Sequence, residues 1–90
     1  MATKPRPTVI ALEEHYWDHD ISAHFTSDED RGPARLADKL HDVGEVRLRE
    51  MDEAGIDFQV LSHGAPATQR LDAETAVRLA HQANDRLAET

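Results

Sequence analysis

The stretch Val9-Ile10-Ala11-Leu12-Glu13-Glu14-His15-Tyr16 decides how the rest of the chain is read. It opens on two β-branched residues, stays apolar for four positions and then turns abruptly acidic. A short apolar run ending in polar groups is the pattern of a strand buried on both faces as it reaches a functional edge. A helix competes for the segment, because Ala, Leu and Glu favour one; the strand is preferred. In a strand, side chains two apart share a face. Ala11, Glu13 and His15 are therefore expected on one side, with Leu12 and Glu14 on the other.

Before this strand, residues 1–8 are polar, carry two prolines and read as a flexible lead-in. After it, residues 17–34 form a long polar connection containing Asp18, Asp20, Ser22, Asp28, Asp30, Gly32 and Pro33. Connections of that length in compact proteins are often functional. From Pro33 the pattern turns helical, first through Leu36, Leu40 and Val43, then through Leu48, Met51 and Ala54, with Gly44 between the two pieces. Gly55 is placed to take a left-handed cap, with Ile56 folding back on the last turn.

Asp57-Phe58-Gln59-Val60-Leu61-Ser62 reads as a second strand, closed by His63-Gly64-Ala65-Pro66. Asp72 is placed to cap a last helix, with Glu74 near its positive end. Ala76, Ala80, Ala83 and Leu87 form that helix's apolar stripe. Strand, loop, helix, strand, helix implies a parallel, right-handed β-α-β unit. Two such strands leave sheet edges open and cannot close a barrel. Ala88-Glu89-Thr90 carries no helix stop signal. The chain is thus expected to be part of a longer protein, or to draw its missing partners from other chains.

Composition narrows the function classes. Ninety residues make one domain at most, with only Tyr16, Trp17, Phe25 and Phe58 as aromatics. Ten basic against eighteen acidic side chains leave a formal charge of −8, which favours solubility and repels phosphate backbones. No nucleic-acid partner is expected. The run Val9–Leu12 is far too short for a membrane span or a signal segment, so no membrane association is expected either. The absence of cysteine excludes disulfides and thiolate ligands and fits a cytoplasmic location. A metal site must draw on carboxylates and the six histidines.

Glu13 and His15 carry the sharpest chemical signal. A carboxylate oxygen and an imidazole nitrogen are both good ligands for Zn²⁺ or Mn²⁺. On an inward-facing barrel strand they would stand at the end where catalytic groups gather. Taken alone, the triplet is a weak signal and describes a solvated strand end more readily than a ligand pair. His19, four residues after His15, has a ligand spacing only on a helix and reads as a loop histidine. His41 and His81 read as solvated positions on helical faces, and Asp28-Glu29-Asp30 as a soluble loop.

The segment Ala11-Leu12-Glu13-Glu14-His15-Tyr16 also resembles the opening strand of the amidohydrolase-related metal-dependent decarboxylases. That group includes the γ-resorcylate and aminocarboxymuconate semialdehyde decarboxylases. The resemblance continues through Arg47-Leu48-Arg49-Glu50-Met51-Asp52-Glu53-Ala54-Gly55-Ile56 and Val60-Leu61-Ser62. It extends over Ala65-Pro66-Ala67-Thr68-Gln69 and Ala80-His81-Gln82-Ala83-Asn84-Asp85-Arg86-Leu87-Ala88-Glu89. The Glu-x-His form, where hydrolytic relatives usually have His-x-His, is similar to the resorcylate branch in particular.

The resemblance implies an α/β fold in which residues 1–90 are the N-terminal β-α-β-α portion of a single TIM (β/α)8 barrel domain, incomplete in this chain. It implies two metal ligands, Glu13 and His15, for a divalent Zn or Mn ion. It implies decarboxylation of a small aromatic carboxylate such as a hydroxybenzoate. Phe25 is the position implied for an aromatic against the substrate ring, and Ala65 for a small residue beside it. Here His63-Gly64 precede Ala65, where relatives tend to have an apolar residue and Asn. Further ligands and the proton donor come from later strands in such enzymes. No general acid is therefore assigned, and the chain alone is expected to be inactive. The alternatives are metal-dependent hydrolysis on the same barrel and a non-catalytic, self-associating fragment. A homo-oligomer is expected.

Overall fold

The chain is described from a computed structural model, which covers residues 6–26 and 34–90. Two strands, β1 (Ile10–Tyr16) and β2 (Phe58–His63), pair in parallel. Around them run α1 (His19–Ser22), α2 (Ala34–His41), α3 (Glu45–Ala54) and α4 (Ala73–Glu89). The mixed α/β order and the parallel pairing are those expected, with the second strand shifted by one residue.

The pairing is interrupted once. Ile10 and Ala11 face Phe58 and Gln59, while Glu14, His15 and Tyr16 face Leu61, Ser62 and His63. Three steps along β1 thus match two along β2, which is a bulge. Glu13 sits inside it in the left-handed region, at φ 58°. The extra residue reverses the alternation. Ala11 and Glu14 share the half-covered side with Gln59 and Leu61, and His15 falls with Ile10, Phe58, Val60 and Ser62 on the exposed side. The expected grouping of Ala11 with His15 is thereby corrected, because period-two alternation does not survive an inserted residue.

Helix boundaries follow local chemistry. Between α2 and α3, the Asp42 carboxylate accepts from the amides of Gly44 (3.0 Å) and Arg47 (3.1 Å). Gly55, at φ 75°, ends α3 as expected, and the Ile56 amide reaches back to the Met51 carbonyl at 2.9 Å. Asp72 caps α4 by accepting from the Thr75 amide at 3.0 Å.

The polar connection departs from the expected open loop. Asp18 accepts from the amides of Asp20 (3.1 Å) and Ile21 (3.2 Å) and starts α1, which turns Ile21 into the core. The remainder of that connection, including the Asp28-Glu29-Asp30 cluster, lies outside the described residues. Among the described residues, Tyr16, Trp17, Ile21, Leu79 and Ala83 are the buried apolar side chains, with Phe25 and Leu71 packed against Ile21, Leu79 and Ala83. The core therefore sits beyond the C-terminal ends of the strands, between α1 and α4. At the opposite end, Arg6 in the expected lead-in forms a two-pronged pair with Asp57 at 2.7 and 3.0 Å. Among the described residues no helix is long and apolar enough to cross a membrane.

Candidate functional site

β1 changes character at its end. Glu13 and His15 are exposed, and the next three residues, Tyr16, Trp17 and Asp18, are buried. The His15 ring places Nδ1 3.2 Å from Ser62 Oγ across the strand pair. With Nδ1–H donating to that hydroxyl, Nε2 keeps its lone pair for a ligand, the arrangement by which neighbouring groups orient metal-binding histidines. The His15 carbonyl accepts from Arg47 Nη2 at 3.1 Å on the far side of the sheet.

Beyond β2, His63 is fixed by two backbone groups. Its Nε2 accepts from the Asp18 amide at 2.8 Å, so Nδ1 carries the proton and donates to the Gly64 carbonyl at 2.8 Å. A backbone N–H has only a proton to offer and a carbonyl only lone pairs, so the neutral Nδ1–H tautomer follows. Gly64 continues the ladder by donating to the Tyr16 carbonyl at 2.9 Å and lies against the Trp17 indole. Rings then close around this point: Trp17 on Phe25 with centroids 5.2 Å apart, Tyr16 on His63 at 5.3 Å, and Phe25 on His63 at 6.2 Å.

The buried Asp18 carboxylate receives both prongs of Arg86, Nε at 2.9 Å and Nη2 at 2.7 Å. Burial by itself pushes the Asp18 pKa up; the Arg86 guanidinium and the amides of Ile21 and Asp20 outweigh it and hold the carboxyl below its ordinary range. Burial, reinforced by the Asp18 charge, moves the Tyr16 phenol the other way, above its usual value.

The sequence-chosen residues are thus divided. Glu13 and His15 stand exposed near the end of β1. Phe25 is half-buried among Trp17, His63 and the Ile21-Leu79-Ala83 cluster. Ala65 is exposed just past β2. His41 departs from the solvated surface position expected: it is half-buried, its ring stacks on His19 at 4.0 Å, and its Nε2 lies 2.8 Å from Ser22 Oγ. Asp18 and His63 went unassigned by sequence reasoning. Asp18 two residues before Asp20-Ile21 is a readable cap, but its partner Arg86 lies 68 residues away.

Glu13 and His15 offer two donors of the kind a divalent ion takes. Among the described residues no group of three or more His, Asp or Glu side chains converges into a full shell. A cleft of about 310 Å³ opens nearby, lined in part by Tyr16, Asp18, His41, Ala83 and Arg86; neither Glu13 nor His15 lines it. That cleft belongs to the α1–α4 core, whereas His15 stands on the open sheet face and Glu13 is exposed within the bulge.

Compared with known proteins, the chain matches the N-terminal part of the amidohydrolase-related decarboxylases. It is 43% identical over 84 residues to the γ-resorcylate decarboxylase of Polaromonas sp. JS666 and 39% identical over 87 residues to that of Rhodococcus jostii RHA1. Each match covers 89% of this chain and 25% of the relative, so the chain spans about a quarter of the length of these curated relatives. It also superposes on a crystal structure of the dihydroxybenzoic acid decarboxylase from Polaromonas sp. JS666, which holds manganese and the inhibitor 2-nitroresorcinol. That match has a TM-score of 0.74 at 41% identity, covering 93% of this chain and 26% of the other. No protein-family model matches the chain.

Proposed function

We propose that this chain contributes the first-strand metal ligands, Glu13 and His15, of a divalent-metal-dependent decarboxylase acting on a small aromatic carboxylate of the dihydroxybenzoate type. The observation that carries the reading is the exposure of both donors on β1 in a chain that superposes on a quarter of a manganese-bound decarboxylase. We read β1 through α4 as the first portion of a (β/α)8 barrel. Its open sheet face, with Ile10, Leu12, Phe58 and Val60 exposed, fits a surface that further strands would cover.

The donor set fits a Zn or Mn ion in type, as two members of a larger shell. When bound, the ion supplies positive charge for the substrate carboxylate and for the anion that develops as carbon dioxide leaves. Glu13 contributes a carboxylate from the bulge. His15 contributes Nε2, with Ser62 fixing the ring through Nδ1. Phe25 approaches from the aromatic cluster at the strand ends, where it would present an apolar ring to the substrate, and Ala65 leaves space past β2. No group among the described residues is assigned as proton donor.

A chimera tests this reading. The chain replaces the corresponding quarter of the Polaromonas decarboxylase, and release of carbon dioxide from γ-resorcylate is followed with Mn²⁺ present. Manganese-dependent turnover is expected in the chimera, and its loss in Glu13→Gln or His15→Ala versions that remain folded. The chain by itself is expected to show no turnover above a metal-only control. A folded chimera whose rate and metal content survive both substitutions overturns the assignment.

A further inference from the structure

Arg47 of α3 reaches under the sheet with most of its donors committed. Nε donates to the Asp42 carbonyl at 2.7 Å, and Nη1 to Gln59 Oε1 at 3.2 Å. Nη2 lies 3.1 Å from the His15 carbonyl and 3.3 Å from that of Lys39. Its own amide is held by the Asp42 carboxylate at 3.1 Å. The two contacts to the sheet are the informative ones. Gln59 pairs with Ala11, the last partner before the bulge, and His15 lies just after it. One guanidinium therefore grips both sides of the irregularity.

The bulge needs such a grip. Glu13 holds a left-handed backbone that L residues adopt reluctantly, and such conformations persist only where their surroundings over-determine them. Slippage by one residue removes the insertion and restores simple alternation. It would turn His15 from the open face to the helix-covered face. A planar fork with fixed donor directions resists that slip; an ammonium on a flexible stem does not.

We propose that Arg47 is a positioning residue that holds the register of β1 across its bulge and so keeps the His15 side chain on the open face of the sheet. The metal readout of this proposal rests on the ligand reading above; the register readout does not. The test uses the isotope-labelled chain, unsubstituted and as Arg47→Lys, with Mn²⁺ alone as probe. Interstrand nuclear Overhauser contacts between His15 and Ser62 and between Tyr16 and His63 report the register. Paramagnetic broadening reports where Mn²⁺ sits.

Arg47→Lys is expected to weaken or lose the contacts after the bulge while those between Ile10 and Phe58 remain. The Mn²⁺ concentration needed to broaden His15 is expected to rise about tenfold, the lower end of what outer-shell losses cost. Should Arg47→Lys fail to fold, Gln59→Leu removes only the acceptor of Nη1 and is expected to shift the same contacts in the same direction. Retained His15–Ser62 contacts and an unchanged midpoint in a folded variant overturn the proposal, as does their absence from the unsubstituted chain. Intact register dependence without broadening at Glu13 or His15 in the chain alone leaves the role of Arg47 standing, and the ligand reading is then decided by the metal content of the chimera, where the rest of the shell is present.

Discussion

A methyl group at residue 64 would stand 2.8 Å from Trp17 Nε1 and 3.2 Å from its Cδ1. The indole has little room to retreat, with Phe25 5.2 Å and His41 5.7 Å from its centroid. Gly64→Ala is therefore expected to destabilise the chain by about 1–3 kcal/mol, the usual cost of overpacking. Trp17 is the sole tryptophan, so urea unfolding followed by its fluorescence reads both the midpoint and the disturbed ring; an unchanged midpoint and emission would refute the steric argument. Asp18 sets a pH dependence of definite sign. Its folded-state pKa is depressed, so near that value the unfolded chain binds more protons and stability rises with pH. Its contribution is complete above the ordinary carboxylate range and is lost as pH falls through the lower folded value. Asp18→Asn is expected to cost about 1–2 kcal/mol at pH 7, because the half-exposed Arg86 rehydrates in part. It should cost progressively less toward pH 3. Asp57 and Asp72 are also shifted down, so some acid dependence remains in the variant. A wild-type to Asn difference that stays constant between pH 7 and pH 3 would remove Asp18 from the acid response.

Elements were legible wherever their signal is local. Gly44, Gly55 and Asp72 mark helix ends by backbone chemistry within a few residues, and both strands announced themselves as short apolar runs. The bulge was not legible, because Leu12-Glu13 carries no glycine to flag a left-handed residue and the register is set by the partner strand and by Arg47. The short α1 was hidden for a similar reason: a four-residue helix is held by a carboxylate whose guanidinium partner comes from α4. Glu13 and His15 could thus be chosen from residue type and pattern, while the face that each occupies could not. The backbone at Glu13 gives a sharp check. Left-handed geometry costs an L residue about 1–2 kcal/mol, and glycine's extra unfolded-state freedom costs about 0.5–1 kcal/mol. Glu13→Gly should therefore be neutral or stabilising by up to about 1.5 kcal/mol. Glu14→Gly, one residue on and outside the left-handed region, should lose about 1 kcal/mol. Equal destabilisation of the two in thermal unfolding would show that the bulge is placed at the wrong residue.

Across the whole molecule, apolar surface is unevenly covered. The buried apolar side chains lie at the strand ends, whereas Ile10, Leu12, Phe58 and Val60 on the sheet are 57%, 68%, 60% and 51% exposed. The radius of gyration, 15.8 Å, exceeds the value of about 12 Å expected for a compact chain of this length. Each strand of this pair also has an outer edge at which no further strand is paired among the described residues. A second copy of the chain offers the same apolar face, so self-association through it would cover that surface on both copies. Covering about 400 Å² of apolar surface would contribute on the order of 10 kcal/mol at about 25 cal/mol per Å². The loss of translational and rotational freedom costs about 4–15 kcal/mol, so the balance is close and conditions decide it. The net charge of −8 opposes association and is screened as salt rises. Sedimentation velocity at low and high salt is therefore expected to show oligomers that grow with ionic strength. Phe58→Glu, which places a charge on the open face without touching the α1–α4 core, should shift the population toward monomer. A monomer at both salt concentrations, with strongly protected strand amides in hydrogen exchange, would mean that the open face needs no cover and that the strand-end core suffices to hold the sheet.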